Sequence, residues 1–247
     1  MRRLGVALLV VAVVGGASGL LLRASGPVER RLAGYGTPLG DRSAAQIYNA
    51  RLAAAAVNGR VVQPGEVFSF NQAVRSWSGD RGYVKAPVSF DGRVIEAWGG
   101  GVCQVSTTLY NAGLLAGLAV VERHHHHWPP KYVAAGRDAA VAYPQLDLRL
   151  RNPHPWPVTI KARVVGDRLE AAVWGQGPGP AVAVRTRVLQ VLPSQVVHDP
   201  GWRGGPQLRR RGAPGCRVRV WRTQGGVESL VSEDYYPPLS QVISGDL

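Results

Sequence analysis

Val102, Val105, Leu109, Ala112 and Ala116 recur at steps of three and four residues, which lines them along one side of a helix. A helix is also predicted over "DRSAAQIYNARLAAAAVNGR". There Ile47, Leu52, Ala55 and Ala56 give the apolar positions, Asp41 or Ser43 the N-cap and Asn58-Gly59 the stop. It should pack by its small face. Val61 and Val62 run into Pro64-Gly65, and Val67, Phe68 and Phe70 follow, which predicts strand, turn and strand. Val84 to Phe90 and Arg93 to Trp98 predict a hairpin about Asp91-Gly92. "VVERHHHHWPPKYVAAGRDAAV" cannot run as a regular element across Pro129-Pro130 and reads as a loop ending in a short strand. Alternation returns from Asp147 and turns at Gly166-Asp167.

The two ends differ from this middle. Arg2 and Arg3 precede nineteen uncharged, mostly apolar residues, Leu4 to Leu22. That run exceeds the usual 7 to 15 or so of a cleavable signal core and nears the roughly 20 of a bilayer span. An uncleaved anchor is expected, with cleavage near Ala17-Ser18-Gly19 as the alternative that yields a secreted protein. The predicted organisation is an anchor or signal peptide (1–24), a linker (25–40), a main domain (41–176) and, beyond "GQGPGP", a small basic β appendage (181–247). The fold class expected is α+β. Mixed or antiparallel sheets accompany a few helices, the helix bearing Cys103 is central, and the C-terminal appendage is all-β.

Composition narrows the partners. The net charge is +13, and only Lys85, Lys131 and Lys161 among the 29 basic residues are lysines. From Arg185 to Arg222 there are nine arginines against one acid, Asp199, a positive field that attracts polyanions. Export puts the main domain outside the cytoplasm, away from chromosomal DNA. Nucleic acid is therefore not expected as a partner, and anionic cell-wall polymer is.

Cys103 stands where its helix should begin, after Gly99, Gly100 and Gly101. A helix N-terminus favours a thiolate by aiming unpaired N–H groups and the positive dipole end at the sulfur. The glycines would leave room for a substrate and form a nest of N–H groups for an oxyanion. Gln104, Ser106 and Thr107 are candidate substrate contacts, as is Tyr132. His124 to His127 offer a base, and Asp138 a group to orient it. Other readings stand beside this one: a Cys103–Cys216 disulfide, a buried inert Cys103, and a metal held by the histidines. Consecutive histidines diverge and lack the usual ligand spacing, so no metal and no cofactor is expected.

"PGEVFSFN" (64–71), Gly82-Tyr83, "GGGVCQVSTTLYNA" (99–112), Glu122-Arg123 with its histidine loop, and "GRDAAV" (136–141) together resemble the VanW family. The resemblance covers roughly residues 41 to 165. Some VanW-domain proteins look like cysteine L,D-transpeptidases that crosslink the stem peptides of peptidoglycan. Carried over, Cys103 is the nucleophile, His126 the base, with His124 next in line, and Asp138 the aspartate of the family's "G-x-D-A" motif. The chain departs from the pattern at His127, usually serine, and at Ala140, frequently threonine. The tail "GCRVRVWR…VSEDYYPP" is similar to part of a G5 module. Two other functions fit the same residues: a non-catalytic wall-binding module linked to glycopeptide resistance, and a Cys-His peptidase.

Overall fold

The structure, a computed structural model, describes residues 28–90, 93–199 and 207–244. The expected anchor and the Asp91-Gly92 turn lie outside them. Strand β1 (Arg30–Pro38) leads to helix α1 (Ala44–Val57), strands β2 (Arg60–Val62) and β3 (Val67–Ser69), and the short helix α2 (Phe70–Val74). The hairpin β4 (Lys85–Phe90) and β5 (Arg93–Trp98) precedes α3 (Val102–Leu115). Then come β6 (Ala119–Glu122), β7 (Arg149–Arg151), β8 (Val158–Val165) and β9 (Arg168–Gly175). The C-terminal part is all strand: β10 (Val182–Leu192), β11 (Val196–Asp199), β12 (Gln207–Arg210), β13 (Gly215–Gln224), β14 (Val227–Tyr236) and β15 (Gln241–Ser244). The protein is thus mostly β-sheet with a few helices. Among the described residues no helix is long and apolar enough to cross a membrane.

The main sheet has the order β1-β9-β8-β2, antiparallel throughout. Alternate residues of β8 and β9, among them Ile160, Ala162, Leu169, Ala171 and Val173, are buried under α1 and α3. Arg30–Pro38, part of the expected linker, is in fact the edge strand of this sheet, paired with β9 from Arg30 to Pro38. Its glycines and half-exposed positions hid the alternation.

Helix α1 begins at Ser43, whose side chain accepts from the Gln46 N–H while the Gln46 side chain accepts from the Ser43 N–H. That reciprocal cap contributes about 1 kcal/mol. The helix does pack by its small face, Ala50, Ala53 and Ala54, with Gln46, Asn49 and Val57; of the expected positions Ile47, Leu52 and Ala56 are half-buried against the core and Ala55 is exposed. Phe70, expected in a strand, starts α2 instead, after the Ser69 side chain caps the Gln72 N–H.

Helix α3 is buried on nearly all sides. The expected stripe of Val102, Val105, Leu109, Ala112 and Ala116 is there, yet Ser106, Thr107 and Asn111 are buried as well. These polar side chains face the segment 137–141 and bind its backbone, so the second face is covered by protein and not by water. The C-terminal strands form two sheets, β10-β13-β14 and β11-β15-β12, the second mixed because β11 and β15 run parallel. Arg222 Nη1 donates to the Leu118 carbonyl at 2.7 Å, fastening β13 to the end of α3.

Candidate active site

The glycine loop is shaped by α1 and the hairpin. Gly101 caps α3 at φ 107°, in the left-handed region, and a Cβ there would lie 2.3 Å from the Gln46 carbonyl oxygen. Asn49 fixes the loop further: its Nδ2 donates to the carbonyls of Gly100 (3.0 Å) and Val84 (2.9 Å), and its Oδ1 accepts from the Val84 N–H. Gly99 and Gly100 are buried. The space the glycines were expected to leave for a substrate is filled by α1, Trp77 and β4, which is a correction. The expected nest is narrower too, because the Val102 N–H goes to Gly99 and the Gln104 N–H to Gly101. Among the described residues the Cys103 N–H meets no protein acceptor, so it stays available to an oxyanion. Gly101→Ala is expected to cost about 3 kcal/mol, from strain plus collision with Gln46. Urea unfolding measures it, and a loss below about 1 kcal/mol contradicts the close approach of α1.

Cys103, His126 and Asp138 come together. The Cys103 sulfur sits 3.4 Å from the Val141 carbonyl and within hydrogen-bonding reach of the His126 imidazole. His126 Nδ1 is 2.7 Å from Asp138 Oδ2, which also accepts the His126 backbone N–H at 2.7 Å. With Nδ1 so engaged, Nε2 is the nitrogen left for sulfur. Asp138 is fully buried. Burial pushes its carboxyl up, but the His126 hydrogen bond and the Arg123 charge outweigh this and hold it at about 2. Burial likewise disfavours imidazolium, yet the bonds to Asp138 and Cys103 raise His126 to about 10. For Cys103 burial opposes the thiolate, and the hydrogen bond and charge of His126 overcome it, so the thiol lies below its ordinary value. All three directions favour the charged forms, thiolate, imidazolium and carboxylate.

The remaining expected contacts are placed differently. The Ser106 hydroxyl donates to the Ala139 carbonyl at 2.6 Å, and Thr107 Oγ1 accepts from the Ala139 N–H at 2.9 Å. Gln104 Nε2 donates to Thr37 Oγ1 and the Pro38 carbonyl. All three are buried, so they hold the loop and β1 rather than meet a substrate. Tyr132 is half-buried near Cys103 and Thr107, with the Arg42 guanidinium 4.8 Å above its ring. His124 points to Glu122, 2.9 Å from Nε2 to Oε1, so His126 and not His124 faces Cys103. His125 bonds the His126 carbonyl and His127 packs edge-on to Trp128. Among the described residues no group of three or more His, Cys, Asp or Glu is arranged to hold a metal ion, and both cysteines are free thiols.

A family profile described as "VanW like protein" matches residues 45–174, which contain Cys103, His126 and Asp138. The chain belongs to the VanW family. It is similar to "Uncharacterized protein YoaR" of Bacillus subtilis (strain 168), 35% identical over 167 residues, 68% of this chain and 54% of that protein. It is similar also to "Vancomycin B-type resistance protein VanW" of Enterococcus faecalis (strain ATCC 700802 / V583), 32% identical over 112 residues, 43% of this chain and 41% of that protein. The chain thus spans about half the length of the relatives it matches. A solved structure, "Crystal structure of HP0197-G5", aligns with 26% of this chain and 97% of that one at 19% identity and a TM-score of 0.16, too low to bear on the fold.

Two residues of the site lie beyond the VanW match. Arg123, buried in the site, binds Asp138 through Nε to the carbonyl (2.6 Å) and Nη2 to Oδ1 (3.1 Å), while its Nη1 meets both oxygens of Asp234 at 2.6 Å. The Tyr236 hydroxyl donates to Asp138 Oδ1 at 2.5 Å. Neither Asp234 nor Tyr236 was expected from the sequence. The one signal is local: "SEDYY" puts two acids and two tyrosines in an otherwise arginine-rich part.

Proposed function

We propose that this chain is an extracytoplasmic cell-wall enzyme, a cysteine L,D-transpeptidase that acts on peptidoglycan stem peptides. The observation that carries the proposal is the convergence of Cys103, His126 and Asp138 at the N-terminus of α3, with His126 Nδ1 bonded to Asp138. Similarity to a protein named for vancomycin resistance supports a cell-wall setting. Residues 1–24 anchor the chain in the membrane with the main domain outside, and exposed arginines of the C-terminal part hold it near anionic wall polymer. Several are already paired on the sheet surface, Arg185 with Glu228 and both Arg217 and Arg219 with Glu233, so the field is weaker than the count suggests.

The Cys103 thiolate attacks the carbonyl carbon joining the third and fourth residues of a tetrapeptide stem, and the oxyanion takes the Cys103 N–H. The His126 imidazolium gives its proton to the leaving nitrogen, D-alanine departs, and the acyl group stays on sulfur as a thioester. An amine of a neighbouring stem then attacks the thioester, yields its proton to His126 and displaces the thiolate. Water in place of the amine gives a free acid.

The test is incubation of the purified full-length protein with tetrapeptide muropeptides, followed by mass spectrometry. Crosslinked dimers with one D-alanine lost per bond are expected. Tripeptides without dimers make the enzyme a carboxypeptidase, cleavage elsewhere makes it a peptidase, and binding without any product reduces it to a non-catalytic module.

A further inference from the structure

Asp138 is saturated, and one of the four bonds that saturate it comes from the far end of the chain. Oδ2 accepts the N–H and Nδ1 of His126; Oδ1 accepts Arg123 Nη2 and the Tyr236 hydroxyl. The Tyr236 oxygen in turn accepts the Gly136 N–H at 2.9 Å, two residues before Asp138. Asp234 takes the free end of Arg123 and accepts the Ser232 hydroxyl at 3.3 Å. Asp234 is 4% exposed and Tyr236 wholly buried. A strand that served only to cover the main domain would bury apolar side chains here, because a buried acid and hydroxyl are costly unless each finds a partner.

We infer that the C-terminal β part completes the active site, with Tyr236 and Asp234 as positioning residues that set the orientation and charge of Asp138 behind His126. The inference rests on the cysteine mechanism proposed above and adds to it residues outside the matched family stretch. The reasoning is electrostatic. Asp234 balances Arg123, which leaves the charge of Asp138 for His126. Tyr236 draws charge from Asp138 and fixes its rotation. The other groups facing this cluster are Tyr110, with the Arg123 guanidinium 5.4 Å from its ring, His125, edge-on to Tyr236 at 5.0 Å, and Tyr132 near Cys103. Arg137, bonded through Nε to Asn111, and Arg42 over Tyr132 complete the list. Neither variant below replaces any of them, although the Asp234 charge also acts on Tyr110.

The experiment follows alkylation of Cys103 by iodoacetate against pH in the full-length protein, with peptide mass mapping to separate Cys103 from Cys216. The rate rises as the thiolate forms and falls as the neighbouring imidazolium loses its charge. Tyr236→Phe keeps the ring and removes the donor, so Asp138 becomes more basic and both limbs move up by about half a unit. Asp234→Asn removes a negative charge, so both limbs move down by about one unit. Shifts of opposite sign are the expected result. If the wild-type profile is bell-shaped but both variants keep its limbs, whatever their melting temperatures, the inference is overturned and the dyad stands. A wild-type rise near an ordinary thiol value of about 8.5 with no fall overturns both. Should Asp234→Asn fail to fold, Tyr236→Phe decides alone.

Discussion

Cys103→Ala is expected to abolish crosslinking and D-alanine release, by at least about 10⁴-fold, because no other group can form the acyl intermediate. Folding should survive. Cys103 is only partly buried, and among the described residues its one side-chain bond to the main chain is the 3.4 Å contact to Val141, so the loss of stability is expected near 1 kcal/mol. Cys103→Ser separates nucleophile from mere volume: the hydroxyl fits, yet His126 cannot hold an alkoxide at neutral pH, and activity should stay within about tenfold of the alanine variant. The measurement is D-alanine released per minute, with mass spectrometry of the intact protein to trap a thioester on the wild type. A Cys103→Ala protein retaining a tenth of wild-type activity removes Cys103 from the mechanism.

What could be read from the sequence follows how local each feature is. The start of α3 at Val102 is legible because glycines end a hairpin and an apolar stripe begins within four residues. Legible too were His126 and Asp138, through motifs of the family resemblance. The centre of the buried face of α1 is displaced from the hydrophobic positions: Ile47 and Leu52 pack at its edge, whereas close packing against α3 and β8 selects alanines, and Gln46 and Asn49 are buried to bind the backbone of β4 and the glycine loop. Ser106 and Thr107 share the side of α3 that carries Cys103, but helical spacing says nothing about whether solvent or residues 137–141 cover that side. Asp234 and Tyr236 were out of reach for the same reason. They meet Arg123 and Asp138 across 111 and 98 positions of sequence, and no periodicity in β14 announces a partner that far away. Local pattern singled out Cys103, and tertiary contact supplied the charged groups around it.

Asp138→Asn is expected to lower turnover by about 10² to 10⁴-fold while leaving Cys103 in place, because His126 loses the carboxylate that raises it to about 10 and fixes its tautomer. Stability should fall as well, by about 3 to 5 kcal/mol. An amide nitrogen on either side of the group must face a fixed donor, the His126 backbone N–H on one side or the Arg123 guanidinium on the other, and neither can accept. The two effects separate by pH. A carboxyl at about 2 in the folded protein sits below its ordinary value of about 3.9, so its contribution is complete above pH 4 and vanishes as pH falls through 2. By linkage that acid-labile share is about 2 to 3 kcal/mol. Wild-type stability should therefore drop between pH 4 and 2 by this much more than that of Asp138→Asn, whose amide does not titrate, in urea unfolding followed by tryptophan fluorescence. Parallel acid limbs in the two proteins would mean that Asp138 is not the ionised centre of the site, and the loss of turnover would then have to come from distorted packing around His126.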